Sequence, residues 1–148
     1  MDESFRMTTQ TAKVRLGNRC ISANGGLRTV QALNTPAALI DLQRLKANTR
    51  LMSARASSLG VRLRPHVKTH KCVEAAKYQV QNHFGGITVS TLAEAGFFAS
   101  AGFTDITYAV PLAPGRAVKS VELSSQIKHF QVIVDNTTAI KALSEALK

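Results

Sequence analysis

The chain has 148 residues, of which 19 are Lys or Arg and 9 are Asp or Glu, so that its formal net charge is +10. Hydrophobic residues make up 45%, which is ordinary for a globular domain, and the length excludes a large multidomain enzyme. No apolar run approaches the roughly 20 residues that span a bilayer, so a membrane protein is not expected. Two cysteines are too few for a disulfide scaffold and favour a reducing, cytoplasmic location.

The positive charge first suggests a nucleic-acid partner, but its distribution does not support one. Basic residues alternate with apolar ones, and residues 34–148 contain no five like charges in succession. A polyanion-binding tail would be more concentrated. The pattern is that of a folded surface, and no nucleic-acid partner is expected.

The first segment, residues 1–33, has no sustained apolar periodicity and contains several Ser, Thr and Gly residues. This composition predicts a flexible extension. Because the segment is also rich in Arg, Ser and Thr, an organelle (mitochondrial) transit peptide is the alternative. Asp2 and Glu3 count against targeting.

From residue 34 onwards the pattern predicts alternating strands and helices. A short apolar run after Pro36 predicts a strand, and Asp41 can cap a helix that Gly60 ends. The further predicted elements, in chain order, are a strand over 61–68, a helix over 72–83, a strand over 86–90, a helix opened by a capping box at Thr91–Glu94 and ending near Gly102, a strand over 105–110, a helix over 116–127, a strand over 130–135 and a helix over 136–148.

A strand and a helix thus recur every 20 to 25 residues. This is the signature of βαβ units around a parallel sheet. Two α/β architectures fit it, an open doubly wound sheet and part of a (β/α)8 barrel, and periodicity does not choose between them. No glycine-rich nucleotide-binding fingerprint follows a strand.

The candidate chemistry is concentrated in the predicted strand over 61–68 and the residues directly after it. Alternation places its apolar side chains on one face and Arg64, His66 and Lys68 on the other. Ligand sites lie at the carboxyl ends of parallel strands in both architectures. A half-buried Lys68 among cations would have a lowered pKa, and Schiff-base chemistry requires a neutral amine. The alternative is a solvated basic strand end.

Other groups are weaker candidates. His66 and His70 have a spacing that suits a metal pair on a helix, but no third ligand is near in sequence. Cys72 starts a predicted helix, which can lower a thiol pKa, but an unreactive, part-buried Cys is favoured. Thr88 and Ser90 on the next strand, and Tyr108 on the one after, can face the same interior.

The chain resembles the D-threonine aldolase and D-serine dehydratase family, whose catalytic domain is of the alanine racemase N-terminal type. The specific motif is RPHVKTHK at residues 64–71. Supporting stretches lie at 35–37, 41–42, 86–95, 101–103, 105–106 and 134–135. Together they cover nearly all of residues 34–148.

The resemblance implies a (β/α)8 barrel that binds pyridoxal 5′-phosphate through a Schiff base to a lysine, which the motif places at Lys68. Lys68 is then the catalytic residue, and His66 and Arg64 are further cofactor-binding candidates. The implied substrates are D-hydroxy amino acids. Cleavage of Cα–Cβ would make an aldolase, and loss of the Cα proton and β-hydroxyl a dehydratase; the sequence does not choose between them.

The departure from the family is in length. A complete barrel needs about 250 residues, and residues 34–148 supply about four βα units, an incomplete barrel. The family's divalent-metal ligands have no counterpart in this chain, so no metal site is assigned. We expect an N-terminal fragment that is inactive alone and that associates, as a homo-oligomer or through its open barrel. The alternative is a non-catalytic pyridoxal-phosphate-binding or regulatory barrel fragment.

Overall fold

The computed structural model describes residues 13–16, 19–21, 27–32 and 36–148. The chain divides into two compact units between Arg50 and Leu51. Among the described residues, none of the helices combines the length and apolar character needed to cross a membrane.

The first unit contains the strands β1 (Lys13–Leu16), β2 (Arg19–Ile21), β3 (Leu27–Thr29) and β4 (Leu39–Asp41). They form one sheet in the order β3-β2-β1-β4. β1 pairs with β4 in parallel, and the other two pairings are antiparallel.

The domain boundary that the sequence predicted near residue 34 stays a prediction. β1 pairs with β4, which lies after residue 34, so this sheet contains strands from both sides of that position. The parts of residues 1–33 that the structure describes therefore include paired strands. A targeting role for this segment stays a prediction, and its remaining residues lie outside the described ones.

The helix α1 (Leu42–Ser58) begins where Asp41 predicted it. The Asp41 carboxylate accepts hydrogen bonds from the backbone N–H groups of Gln43 and Arg44, at 3.0 and 3.1 Å. These satisfy two of the donors that a helix start leaves free. At the other end Gly60 takes a φ of +64°, as expected of a glycine that ends a helix.

The second unit alternates helices and strands as predicted. Its elements are α2 (Val73–Val80), β5 (Ile87–Val89), α3 (Leu92–Ser100), β6 (Asp105–Pro111), α4 (Ala117–Ser124), β7 (His129–Ile133) and α5 (Thr137–Ala146). β5, β6 and β7 form a parallel sheet in that order. The α/β class expected from the periodicity is confirmed for this unit.

One face of this sheet forms the core against the helices. Ile87, Val89, Ile106 and Tyr108 are buried and cluster with helical side chains such as Phe98. Strand alternation turns the residues between them to the opposite face. Tyr108 therefore faces the helices and not the opposite face, contrary to the expectation that it shares a face with Thr88.

The predicted strand over 61–68 is wrong in its extent, because pairing is limited to one parallel bridge between His66 and Thr88. The Thr88 N–H donates to the Pro65 carbonyl at 2.8 Å, and the Val67 N–H donates to the Thr88 carbonyl at 3.0 Å. Extension toward the amino end would need an N–H donated by residue 65 to the carbonyl of Gly86. Pro65 has no N–H, so the ladder stops there.

An ion pair crosses the amino edge of the sheet. The Arg64 Nη1 lies 2.6 Å from Asp105 Oδ1 at the start of β6, and the guanidinium stacks on the Phe84 ring, 4.9 Å from its centroid. Gly86 lies beneath this bridge: a Cβ there would come within 2.5 Å of Arg64 Nη1 and would overlap the Phe84 ring. The absence of a side chain at residue 86 lets Arg64 reach β6.

We expect Gly86→Ala to lower the free energy of unfolding by about 1–3 kcal/mol, because the added methyl displaces a guanidinium that is tied to Asp105. The matched control is Gly115→Ala, since an added Cβ at Gly115 has no neighbour within 4 Å. Urea denaturation followed by circular dichroism measures both. Equal changes in the free energy of unfolding for Gly86→Ala and Gly115→Ala would contradict the close packing of the Arg64–Asp105 ion pair over Gly86.

Candidate functional site

The chain turns sharply directly after the paired segment. The Lys71 N–H donates to the Val67 carbonyl at 2.9 Å, and residues 68–70 form the turn. Lys71 has a φ of +46°, a left-handed conformation that costs a non-glycine residue roughly 1–2 kcal/mol. Such a conformation persists where its surroundings hold it.

Lys68 occupies the first position of this turn, at the carboxyl end of the paired segment. Its side chain is exposed, contrary to the half-burial expected from the sequence. The strand that would have half-buried Lys68 ends before it, because the chain turns at residue 68. In the described part of the chain, none of the ion pairs involves Lys68.

His66 lies beside Lys68. Burial lowers the pKa of His66, the positive charge of Lys68 lowers it further, and the Glu94 carboxylate opposes both. A neutral imidazole is consistent with its geometry, because Nδ1 accepts the Lys68 backbone N–H at 3.3 Å. The proton of the neutral ring then resides on Nε2.

His66 begins a polar row that crosses the face opposite the helices. The parallel register aligns it with Thr88, Thr88 with Thr107, and Thr107 with Gln131. The Thr107 hydroxyl donates to the Gln131 side-chain oxygen. This row places hydroxyl, amide and imidazole groups on the face of the sheet that the core helices leave uncovered.

His70 and Cys72 are turned toward α2 instead. His70 Nδ1 accepts the Cys72 N–H at 3.0 Å, and the opposite ring nitrogen lies 2.9 Å from Gln79 Oε1. His66 and His70 therefore have separate partners. Burial raises the pKa of the Cys72 thiol, which favours the unreactive Cys that the sequence suggested.

Within the described residues, no three His, Cys, Asp or Glu side chains group closely enough to hold a metal ion.

Arg64, a sequence candidate for cofactor binding, lies at the other end of the paired segment. Its guanidinium contacts Asp105 and the Ile87 carbonyl, both at the amino ends of their strands. Lys68 follows the carboxyl end. The structure thus brings together Lys68 and His66 and engages Arg64 elsewhere.

Sequence reasoning missed the role of Glu94 at this edge. The capping box is present in part, because the Thr91 hydroxyl accepts the Glu94 N–H at 3.0 Å. The Glu94 carboxylate, however, accepts the N–H of Ser90 at 2.8 Å and lies 3.2 Å from Lys71 Nζ. A capping-box pattern predicts a Glu that reaches back to the helix start, but it carries no signal for a lysine 23 positions earlier.

Glu94 is buried. Burial alone would raise the pKa of its carboxyl, but hydrogen bonds from Ser90 and Lys71 outweigh that effect and lower the pKa overall. The group is therefore a carboxylate at neutral pH, and Lys71 supplies the opposite charge.

The profile of the family described as alanine racemase, N-terminal domain, matches residues 40–148. The chain is 47% identical over 116 residues to the D-threo-3-hydroxyaspartate dehydratase of Delftia sp. (strain HT23), covering 78% of this chain and 30% of that protein. It is 41% identical over 119 residues to the D-serine dehydratase of Dictyostelium discoideum, covering 77% of this chain and 30% of the relative.

A solved structure gives the same result for the fold. The D-threonine aldolase from Filomicrobium marinum superposes with a TM-score of 0.71 at 31% identity, covering 80% of this chain and 32% of that one. The α/β fold of the alanine racemase N-terminal type, expected from the RPHVKTHK motif, is confirmed. The chain spans about 30% of the length of the relatives it matches.

Replacing Glu94 by Gln should destabilise the protein in a pH-dependent way. Because folding lowers the pKa of Glu94 below its ordinary value of 4.5, its stabilisation is fully present above that pH and is lost as the pH falls through the folded-state pKa. At neutral pH we expect Glu94→Gln to cost about 1–3 kcal/mol.

Urea denaturation of both proteins at pH 7 and pH 3 measures this. The difference in the free energy of unfolding between wild type and Glu94→Gln should be smaller at pH 3 than at pH 7. The control Glu122→Gln replaces an exposed carboxylate and should change the free energy of unfolding little at either pH. A difference that stays constant with pH would contradict the assignment of a charged Glu94.

Replacing Lys68 by Met should raise the pKa of His66, because it removes a positive charge that lowers this pKa. Burial remains, so the pKa should stay below the ordinary value. NMR titration of the His66 ring protons measures the change, and Lys77→Met, which removes an exposed charge on α2, is the control. An unchanged His66 titration in Lys68→Met would contradict the proximity of the two side chains.

Proposed function

The chain belongs to the alanine racemase N-terminal domain family, and from this membership we propose that it provides the lysine-bearing part of a pyridoxal-phosphate-dependent lyase that acts on D-hydroxy amino acids. The relatives it matches are named as dehydratases and aldolases of such compounds. Since the chain spans about 30% of their length, the activity of a whole protein of this kind is part of the proposal.

The observation that carries the proposal is the state of Lys68. Its amine is exposed at the carboxyl end of a parallel segment, where ligands of parallel α/β sheets bind. It has no ion-pairing partner among the described residues, whereas the nearby Lys71 is paired with Glu94. An amine that is accessible and not held by a carboxylate suits covalent attachment to an aldehyde.

The residues around Lys68 fit pyridoxal 5′-phosphate in their chemistry. Lys68 would attach its aldehyde, and the Nε2–H of a neutral His66 and the hydroxyl of Thr88 offer hydrogen bonds on the same face. We do not extend a cofactor-binding role to Arg64, because Asp105 holds its guanidinium at the opposite edge. No metal is assigned, since the described residues hold no suitable cluster.

Bound pyridoxal phosphate supplies an electron sink for the charge left on the substrate Cα when one of its bonds breaks. With the cofactor bound, the Lys68 amine would be the group at this edge that accepts the Cα proton. This role corresponds to a dehydratase. In an aldolase the Cα–Cβ bond breaks instead, and both activities occur among the named relatives.

The proposal includes the partners and location expected from the sequence. The partners are small-molecule D-amino acids, and a second copy or another association covers the open face of the sheet. The location is the cytoplasm. A non-catalytic pyridoxal-phosphate-binding or regulatory role is the alternative. In that case Lys68 would still bind the cofactor, but no substrate would be converted.

Incubation with pyridoxal phosphate, followed by borohydride reduction and peptide mapping, tests the proposal. We expect a pyridoxyl group on Lys68 and its loss in Lys68→Ala, because no other amine at this edge is both exposed and without an ion pair among the described residues. Lys77→Ala removes an exposed amine on α2 and should leave the label unchanged.

An unlabelled Lys68 in the wild-type chain would refute the proposal. A labelled Lys68 without turnover of D-serine, D-threonine or D-threo-3-hydroxyaspartate, in the presence of added divalent metal, would favour the non-catalytic alternative.

A further inference from the structure

Two lysines lie at this turn, Lys68 at its first position and Lys71 directly after it, and they differ in their ion pairing. Lys68 is exposed with no ion pair among the described residues, and Lys71 lies 3.2 Å from the Glu94 carboxylate. They are three positions apart in the sequence. They differ because Lys71 has an ion-pairing partner, Glu94.

The partner is a buried carboxylate with three donors. The Glu94 side chain is 2% exposed. Its Oε2 accepts the Ser90 backbone N–H at 2.8 Å and the Ser90 hydroxyl at 3.1 Å, and its Oε1 faces Lys71 Nζ. Because a buried carboxylate without partners is costly, this arrangement holds all three donors in place.

The same contacts end the sheet. A longer parallel ladder would need the Ser90 N–H to donate to the Val67 carbonyl. Glu94 takes the Ser90 N–H instead, and the Val67 carbonyl accepts the Lys71 N–H. The chain is therefore released into a turn at Lys68.

The turn also requires Lys71 to adopt its left-handed backbone conformation. The side chain of the same residue pairs with Glu94. Glu94 thus contacts both the end of the ladder, through Ser90, and the amine of Lys71.

We propose that Glu94 is a positioning residue that determines which of the two lysines reacts, by holding the Lys71 amine and leaving the Lys68 amine free. The inference rests on the proposed function and deepens it. When a lysine amine condenses with an aldehyde, a C=N bond forms, and the carbonyl oxygen leaves as water with both hydrogens of the neutral amine. An amine held by a carboxylate must leave that contact before it reacts.

The chain contains a matched internal control. Lys119 is 57% exposed and pairs with Glu122 at 2.8 Å, whereas Lys71 is 52% exposed and pairs with Glu94 at 3.2 Å. The two lysines differ in their partners, since Glu122 is 52% exposed and Glu94 is 2% exposed. Exposed ion pairs constrain their members little.

The test is competitive acetylation with trace acetic anhydride, with the rate at each lysine read by mass spectrometry. It requires no cofactor. In the wild-type chain we expect Lys71 to react about three- to tenfold more slowly than Lys119, the range of one net hydrogen bond. Glu94→Gln should raise the Lys71 rate to that of Lys119, and Glu122→Gln should leave Lys71 unchanged.

A second readout uses pyridoxal phosphate and borohydride. Of the two lysines, we expect only Lys68 to carry the label in the wild-type chain, and both Lys68 and Lys71 to carry it in Glu94→Gln. Glu94→Asp retains the charge and should restore protection of Lys71 in part. Label confined to Lys68 in Glu94→Gln would count against the proposal.

The outcomes separate this inference from the proposed function. A Lys71 that acetylates as fast as Lys119 in the wild-type chain overturns the inference, whether or not Lys68 binds the cofactor. A protected Lys71 that Glu94→Gln releases supports it, even if Lys68 takes up no pyridoxal phosphate and the proposed function fails.

A general loosening of the fold would raise the rates at Lys68, Lys71 and Lys77 together, and that result in a folded Glu94→Gln would also count against positioning. If Glu94→Gln does not fold, the acetylation rates of Lys71 and Lys119 in the wild-type chain decide whether the inference holds.

Discussion

The parallel pairing of the segment at residues 65–67 with β5 determines where every group of the candidate site lies. Two hydrogen bonds to Thr88 set its register, and they orient Val67 into the core and His66 onto the face opposite the core helices. A shift by one residue would exchange the two faces. Burial of Val67, which is fully inaccessible, opposes such a shift, so core packing and site geometry are fixed by the same contact.

The pairing ends for one chemical reason at its amino end and for another at its carboxyl end. At the amino end Pro65 lacks a donor, and Arg64 crosses Gly86 to reach Asp105. The ion pair between Arg64 and Asp105 therefore spans the amino edge. At the carboxyl end Glu94 withdraws the Ser90 N–H from the ladder, so that edge opens into a turn. Lys68 lies at this end, directly after the last paired residue of the segment at 65–67.

Much of the second unit could be predicted from sequence because its determinants are local. Apolar periodicity and the Thr91 cap act within a few residues, as does the Asp41 cap in the first unit, and all three appear in the structure. The failures involve distant partners. Asp105 lies 41 residues from Arg64, and strand alternation alone grouped Arg64 with Lys68. The apolar pattern of 61–68 likewise indicated a strand without revealing that Pro65 and Glu94 limit it to one bridge.

The charges at the carboxyl edge follow from one buried group. Glu94 lies in the first turn of α3, where the helix dipole favours a negative charge, and Ser90 adds two hydrogen bonds. Lys71 neutralises this charge, and His66 is kept neutral by burial and by Lys68, which lower its pKa. The positive charge of Lys68 is thus left uncompensated among the described residues of this edge. An edge with one free cation and a row of neutral hydrogen-bonding groups suits an anionic ligand that carries a carbonyl. The net charge of the whole chain would not have located that preference, because it depends on which lysine Glu94 engages.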